Sequence, residues 1–182
     1  MDWDEVRTER LLLRRPTSGD LDAAFEVHSA PETNRFNPDG PDADRDASAR
    51  RLAEWIAHWE RHGFGYWAIE AVDSADVIGF SGLRHGTWSS VAILNLYYRF
   101  SAASWGHGYA REAAGTAVRM AQERFPGLPV VARTTVDNIP SQRTAASIGL
   151  KRRPDLDRFV DGVHEVILVS SWPAPPPPGG RS

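Results

Sequence analysis

The sequence predicts a mixed α/β (α+β) fold, with a central, largely antiparallel sheet and helices on both faces. Three observations lead there. Strand-like runs follow one another across short turns between Tyr66 and Phe100, which makes them antiparallel neighbours. One strand–helix–strand unit, from Val91 to Val136, needs a parallel neighbour and a right-handed crossover. Helical and strand periods alternate in the order β-α-α-β-β-β-α-β-α-β-β, without an internal repeat.

Leu11-Leu12-Leu13 reads as a short buried strand flanked by Arg10, Arg14 and Arg15, and Pro16 ends it. Thr17 or Ser18 can cap a helix reaching about Ala30, with Leu21, Ala24, Phe25 and His28 on one face. Pro31 to Asp42 is rich in Pro, Asp, Asn and Gly and reads as a loop. A second helix covers about Ala43 to His62, with Leu52, Trp55, Ile56 and Trp59 as its core stripe and Gly63 as its stop. Strands follow at Tyr66 to Val72, Val77 to His85 and Val91 to Phe100, the last apolar on both faces at its start, as in a central strand.

A small-residue stripe (Ala110, Ala113, Ala114, Ala117, Val118, Ala121) then predicts a helix that packs close to the sheet. Val130 to Val136 is a strand, and Asn138 to Ile148 a short helix ended by Gly149. Asp161-Gly162 signals a type I′ hairpin between Arg158-Phe159-Val160 and Val163 to Trp172. Residues 1–172 read as one domain, and 173–182 as a disordered Pro/Gly-rich tail.

The bulk properties narrow the function. A net charge of −3 over 182 residues gives no reason to expect nucleic acid or an anionic membrane as partner. With no cysteine, disulfides, thiolate metal sites and cysteine nucleophiles are excluded. The six histidines show no metal-ligand spacing, so no metal is expected. No apolar run is long enough to span a bilayer and the acidic start lacks a signal-peptide pattern, so the expected compartment is the cytoplasm.

Ser104-Trp105-Gly106-His107-Gly108-Tyr109-Ala110-Arg111-Glu112 carries the most chemical information. Two glycines one residue apart, between a strand and a helix, let the backbone wrap an anion. Successive N–H groups then point inward, and the helix start adds positive partial charge. Such a turn suits a pyrophosphate. A dinucleotide-binding reading fails: Arg111 stands at the third glycine position of G-x-G-x-x-G, and several elements precede the turn.

The element order together with Trp105-Gly106-His107-Gly108-Tyr109-Ala110 resembles the GNAT superfamily of acyl-CoA-dependent N-acetyltransferases. The family's Arg/Gln-x-x-Gly-x-Gly/Ala falls on Ala103 to Gly108, with Ala103 departing at the first position. Asn138-Ile139-Pro140-Ser141, followed by Gly149-Leu150, resembles the family's next helix. Thr8 to Arg14, Gly65 to Ile69 and Ile78 to Leu83 are similar to the branch that holds the ribosomal-protein N-terminal acetyltransferases.

The resemblance implies a GNAT-like fold, acetyl-CoA as cosubstrate and no metal. Its acceptor would be a primary amine on a small molecule or a protein N-terminus, with a homodimer left open. Backbone amides from Gly106 to Ala110 would take the pyrophosphate, with Trp105 beside them, and Arg111 and Arg143 would meet phosphate oxygens. The pantetheine would pair like an added strand along Tyr98, Arg99 and Phe100. The family's bulge there would supply a thioester-binding N–H from Tyr98 or Arg99.

Asn138 can cap its helix, and the resemblance adds a bond to pantetheine. Ser141 would protonate the departing sulfur. The family's strand glutamate is replaced by Asn95, which cannot take a proton but can orient a water. His85 is a second candidate base. His28, Glu32, Asn34 and Arg35 would face the acceptor, and the acidic loop Asp39 to Asp46 could attract a cationic amine. The competing reading, motivated by Asn95, is a non-catalytic acyl-CoA-binding module or sensor.

Overall fold

The computed structural model describes residues 3–173, so the expected tail beyond Pro173 lies outside the described residues. The elements are β1 (Glu5–Arg7), β2 (Leu11–Arg14), α1 (Leu21–Ser29), α2 (Pro31–Asn34), α3 (Arg45–His62), β3 (Tyr66–Ala71), β4 (Val77–Trp88), β5 (Val91–Phe100), α4 (Tyr109–Arg124), β6 (Val130–Thr135), α5 (Ile139–Ser147), β7 (Lys151–Arg152), β8 (Arg158–Val160) and β9 (Val163–Val169). The strands form one sheet in the order β1-β2-β3-β4-β5-β6-β9-β7, with β8 on β9. Only β5 and β6 pair in parallel.

Side chains alternate between the two faces, as strand geometry requires. Leu11, Leu13, Trp67, Ile69, Leu83, Leu94 and Leu96 point to the layer that holds α4, and meet its Ala113, Ala114 and Ala117. Tyr66, Ala68 and Phe80 point the other way, onto Ala24 and Val27 of α1 and Leu52 and Trp55 of α3. The alanine stripe matters here, because a helix without bulk can lie close to β4 and β5. α3 starts on Asp44, whose side chain accepts the Ala47 N–H at 2.7 Å, and ends on Gly63 in the left-handed region.

Several expectations need correction. Pro31 to Asp42 is not loop throughout, since α2 begins at Pro31, a residue favoured in a first helical turn. Helix α1 starts only at Leu21, because Ser18–Asp20 forms a 3-10 turn first. β4 runs past His85 to Trp88, and its turn is Ser89-Ser90 with both residues at positive φ. That turn lacks the glycine which normally announces a hairpin. Strand β9 stops at Val169, short of Trp172, and the small edge strands β1 and β7 carry too few residues to show a period. Asp161 and Gly162 both have positive φ, the type I′ geometry that their sequence signals.

No bulge interrupts β5 against β4: the register runs unbroken from Trp88↔Val91 to Gly79↔Phe100. The irregularity in this part of the sheet lies between β3 and β4, at Ile69/Glu70. Opposite Tyr66, Gly82 has φ +146°, and a Cβ there would lie 2.4 Å from the Gly65 carbonyl oxygen. The same Cβ would crowd the Tyr66 Cα at 3.0 Å and the Trp67 ring at 3.1 Å. Gly82→Ala should therefore cost about 2–3 kcal/mol of stability through backbone strain and crowding. A denaturant melt with an unchanged midpoint would contradict this.

Candidate active site

The parallel ladder of β5 and β6 is only three residues long, Leu94–Leu96 against Val130–Ala132. Beyond it both strands continue but part company. β5 stays on β4 through Phe100, and β6 stays on β9 through Thr135. A wedge therefore opens inside the sheet. Leu94 donates to the Pro129 carbonyl at 2.9 Å, and Ser101 donates to the Ile78 carbonyl at 2.9 Å. Even-numbered peptide groups of β5 thus face β6 and odd-numbered ones face β4.

Tyr98 is the first residue past the ladder whose N–H and C=O face the opening. The Arg99 amide faces β4, opposite Phe80, so of the two candidate thioester donors the geometry keeps Tyr98 and removes Arg99. The Arg99 side chain also leaves the wedge, bonding Asn34 Oδ1 on the opposite face. Phe100 is buried, and its carbonyl accepts the Trp105 indole N–H at 3.0 Å, which closes the turn after β5.

Gly106 and Gly108 have φ of +81° and +78°, a region closed to most side chains, and Gly108 caps α4. The Gly106 and Gly108 amides donate no hydrogen bond of good geometry to a described residue, and the first N–H groups of α4 are free by helix geometry. His107 and Arg111 are exposed, while Tyr109 and Ala110 are half-buried.

The turn is held from behind. Arg10 donates to the His107 carbonyl at 2.7 Å, directing that carbonyl away from its amide side. Arg10 also pairs with Glu112 at 2.6 Å, and Glu112 accepts the Thr8 hydroxyl at 2.7 Å and the Arg10 amide at 3.0 Å. Burial pushes the Glu112 carboxyl up, but the Thr8 and Arg10 hydrogen bonds outweigh it and hold the group below its ordinary range. Arg10 and Glu112 were not among the expected site residues. Nothing local in the sequence links residue 10 to residue 112. A groove of about 580 Å³ runs from Arg10 and Gly108 past Arg111, Gly115 and Arg119 to Ile148. Arg143 lies exposed on α5.

Asn138 caps α5 as expected, its Oδ1 accepting the Ser141 N–H at 3.2 Å. The Tyr98 hydroxyl crosses the wedge to α5, donating to the Ser141 carbonyl at 2.8 Å and lying 3.0 Å from Ser141 Oγ. Its one proton is spent on the carbonyl, so in the second contact Ser141 is the donor. This side-chain link was not legible in the sequence. Burial pushes the Tyr98 phenol up to about 12, so it stays protonated.

The other face of β5 carries Asn95, Tyr97 and Arg99. Asn95 Nδ2 donates to the Tyr66 hydroxyl at 2.7 Å, so Asn95 stands on the α1/α3 side of the sheet, apart from Tyr98 and Ser141. His28 is fully buried. Its Nδ1 lies 2.7 Å from the Ala24 carbonyl and must carry the hydrogen, so Nε2 accepts from the Tyr97 hydroxyl at 2.7 Å. Asn34 is also buried and donates to the His28 carbonyl at 2.8 Å, while Glu32 and Arg35 are exposed.

The acidic loop is partly committed elsewhere: Asp42 pairs with Arg51 and Ser48, and Asp44 caps α3. His85 sits opposite Leu94 on the α4 face, its ring 4.9 Å from both His62 and Phe64. That location, facing away from Asn95, removes it as a base for this cleft. Among the described residues no cluster of three or more His, Asp or Glu is placed to hold a metal, and no helix is long and apolar enough to cross a membrane.

The sequence profile of the acetyltransferase (GNAT) domain matches residues 10–151. The chain belongs to the GNAT acetyltransferase family and is an acyl-CoA-dependent acetyltransferase. Among solved structures it is similar to an acetyltransferase from Agrobacterium tumefaciens, at 25% identity and a TM-score of 0.77, covering 92% of this chain and 94% of the other. It shares its fold with the ribosomal L7/L12 alpha-N-protein acetyltransferase RimL, in complex with coenzyme A, at 15% identity, TM-score 0.72 and coverage of 91% and 96%. A ribosomal-protein-S5-alanine acetyltransferase from Vibrio fischeri matches at 15% identity, TM-score 0.66 and coverage of 91% and 94%.

Burial lowers His28 from its ordinary 6.5 to about 4. Between those values the unfolded chain binds a proton at this position and the folded chain does not. Stability therefore falls as pH drops through that window, by up to about 1.4 kcal/mol per pH unit. Burial lowers His58 to about 4 as well, with the same sign. His28→Gln should flatten the fall in melting temperature between pH 6.5 and 4.5 without abolishing it. An unchanged slope in the variant would contradict the assignment.

Proposed function

We propose that this chain transfers the acetyl group of acetyl-CoA to a primary amine by direct attack on the thioester. The observation that carries the reading is the amide-lined turn from Gly106 to Ala110, braced by Arg10 and Glu112 and opening beside the unpaired edge of β5. A diphosphate takes the free amides of the turn and the start of α4. The pantetheine amides fill the unpaired edge past Leu96, and the Tyr98 N–H donates to the thioester oxygen as charge develops on it.

The neutral amine nitrogen attacks the carbonyl carbon, a C–N bond forms, and the tetrahedral intermediate collapses with loss of the C–S bond. The proton on nitrogen passes to water. Coenzyme A leaves as a thiolate and takes a proton from Ser141 Oγ, which Tyr98 holds in position, while water carrying the amine's proton returns one to Ser141 Oγ, so that no net charge is left on the serine. Asn95 orients water near Tyr66 on the acceptor side. Two of the neighbours above act, by their names, on ribosomal proteins, which supports including protein N-terminal amines among the acceptors assayed.

A panel of amines mixed with acetyl-CoA, followed by free thiol, separates this reading from a coenzyme-binding sensor, which would bind coenzyme A and release none. Gly108→Glu puts a carboxylate and a side chain where φ is +78°, so coenzyme A affinity should fall at least tenfold by calorimetry. Unchanged affinity would sink the turn's assignment. Ser141→Ala should lower kcat about tenfold or more while coenzyme A binding stays near wild type. Tyr98→Phe should lower kcat less, since the serine hydroxyl survives it. Should Ser141→Ala turn over normally, the thiolate takes its proton elsewhere.

A further inference from the structure

The sheet face that carries Asn95 is covered in two places with a gap between them. Helices α1 and α3 cover Tyr66, Ala68, Phe80 and the Tyr97 ring. Leu156 and Trp172 pack over Trp88, Ile93, Val131 and Ile167. Register places Arg84 opposite Asn95 and Asn95 opposite Val131, in one row across β4, β5 and β6. Arg133 and Thr135 follow Val131 on the same face of β6, where the wedge opens.

The polar groups on this floor are under-used. Arg84 is a half-buried residue, and its guanidinium carbon lies 5.5 Å from the centre of the Tyr66 ring. It has no hydrogen-bond or ion-pair partner among the described residues. Its guanidinium donors are therefore not committed to a protein acceptor and can take an anion. Tyr66 accepts from Asn95 at 2.7 Å, which leaves its own hydroxyl hydrogen to give. Thr135 Oγ1 is buried and has no partner among the described residues. Arg133 pairs with Glu165 only at 3.5 Å. The floor thus offers several hydrogen-bond donors and a net positive charge, next to the point where the acetyl group would lie.

We infer that the acceptor is an amine that also carries a carboxylate, gripped by Arg84 and the Tyr66 hydroxyl while its amino group points at the wedge. This rests on the acetyl-transfer reading and narrows its substrate. The planar fork of arginine matches a carboxylate in two parallel bonds, and the Tyr66 ring lies within cation–π reach of it. The carboxylate can belong to a free amino acid or to an acidic side chain near a peptide's amino end, and the structure favours the small molecule. Both covers leave only a gap between them.

The test compares the twenty common amino acids, β-alanine and γ-aminobutyrate, each with its carboxamide, by thiol release from acetyl-CoA. A peptide with aspartate at its second position, against its asparagine counterpart, tells the two sources apart. Turnover is expected among the free acids, with kcat/KM at least about tenfold above the matched carboxamide. Arg84→Met should erase that preference by raising KM for the acid, leaving kcat and the carboxamide little changed, and Arg84→Lys should restore part of it. Calorimetric binding of coenzyme A should be the same in all three proteins, which also reports folding. Equal or better use of carboxamides, a preference that survives in Arg84→Met, or no turnover of any free acid while coenzyme A binds overturns the inference. Preference for the aspartyl peptide over every free acid overturns the small-molecule choice. Failure to bind coenzyme A would instead count against the acetyl-transfer reading itself.

Discussion

The parting of β5 from β6 after three paired residues is the constraint on which the rest of the molecule turns. A central parallel pair normally satisfies its peptide groups along its whole length, and leaving them open inside a protein is costly. The chain tolerates the opening because each strand keeps its outer neighbour, β4 for one and β9 for the other. Tyr98 then spans the opening to the first turn of α5, so a side chain ties β5 to the helix that follows β6 where the ladder stops. The same opening is what a cofactor containing amides can fill. Structural cost and binding capacity arise from one set of unpaired groups.

The opposite face is stiffened by a different device. The segment after α1 is rich in residues that usually mark a mobile surface, yet its polar groups are used up internally. His28 receives Asn34 and the Asp42 amide on its carbonyl and the Tyr97 hydroxyl on its ring, while Asp42 holds Arg51 and Ser48. Buried polar networks of this kind are stable only when every member has a partner. Here they tie the segment after α1 to β5 through the Tyr97 hydroxyl.

Much of this was readable from the chain. The stripes of α3 and α4, the Asn138 cap, the Asp161-Gly162 hairpin and the glycine turn are local signals, written within a few residues, and the structure has each of them, whereas in α1 the core takes Val27 and not the expected Phe25. What could not be read is long-range. Arg10 and Glu112 stand a hundred residues apart, and no period or motif links them. The choice between Tyr98 and Arg99 depends on where β5 stops pairing, a property of two strands together. His28 looked like one more residue on an amphipathic face, and its burial depends on the tyrosine that β5 brings to it. The Ser89-Ser90 turn was missed because serine at positive φ is held by the strands on either side and not by its own preference.

The brace between Arg10, the His107 carbonyl and Glu112 also bears on the margin of the sheet. β1 and β2 form the outermost hairpin, and their connecting bend is tied to the start of α4. An outer hairpin in isolation frays readily. Here fraying would pull the clasp from the glycine turn, so a ligand held by that turn, as proposed, would be thermodynamically coupled to the order of β1 and β2. Amide exchange in β1 and β2 becomes a distant gauge of whether the loop is filled, although neither strand lies in the cleft.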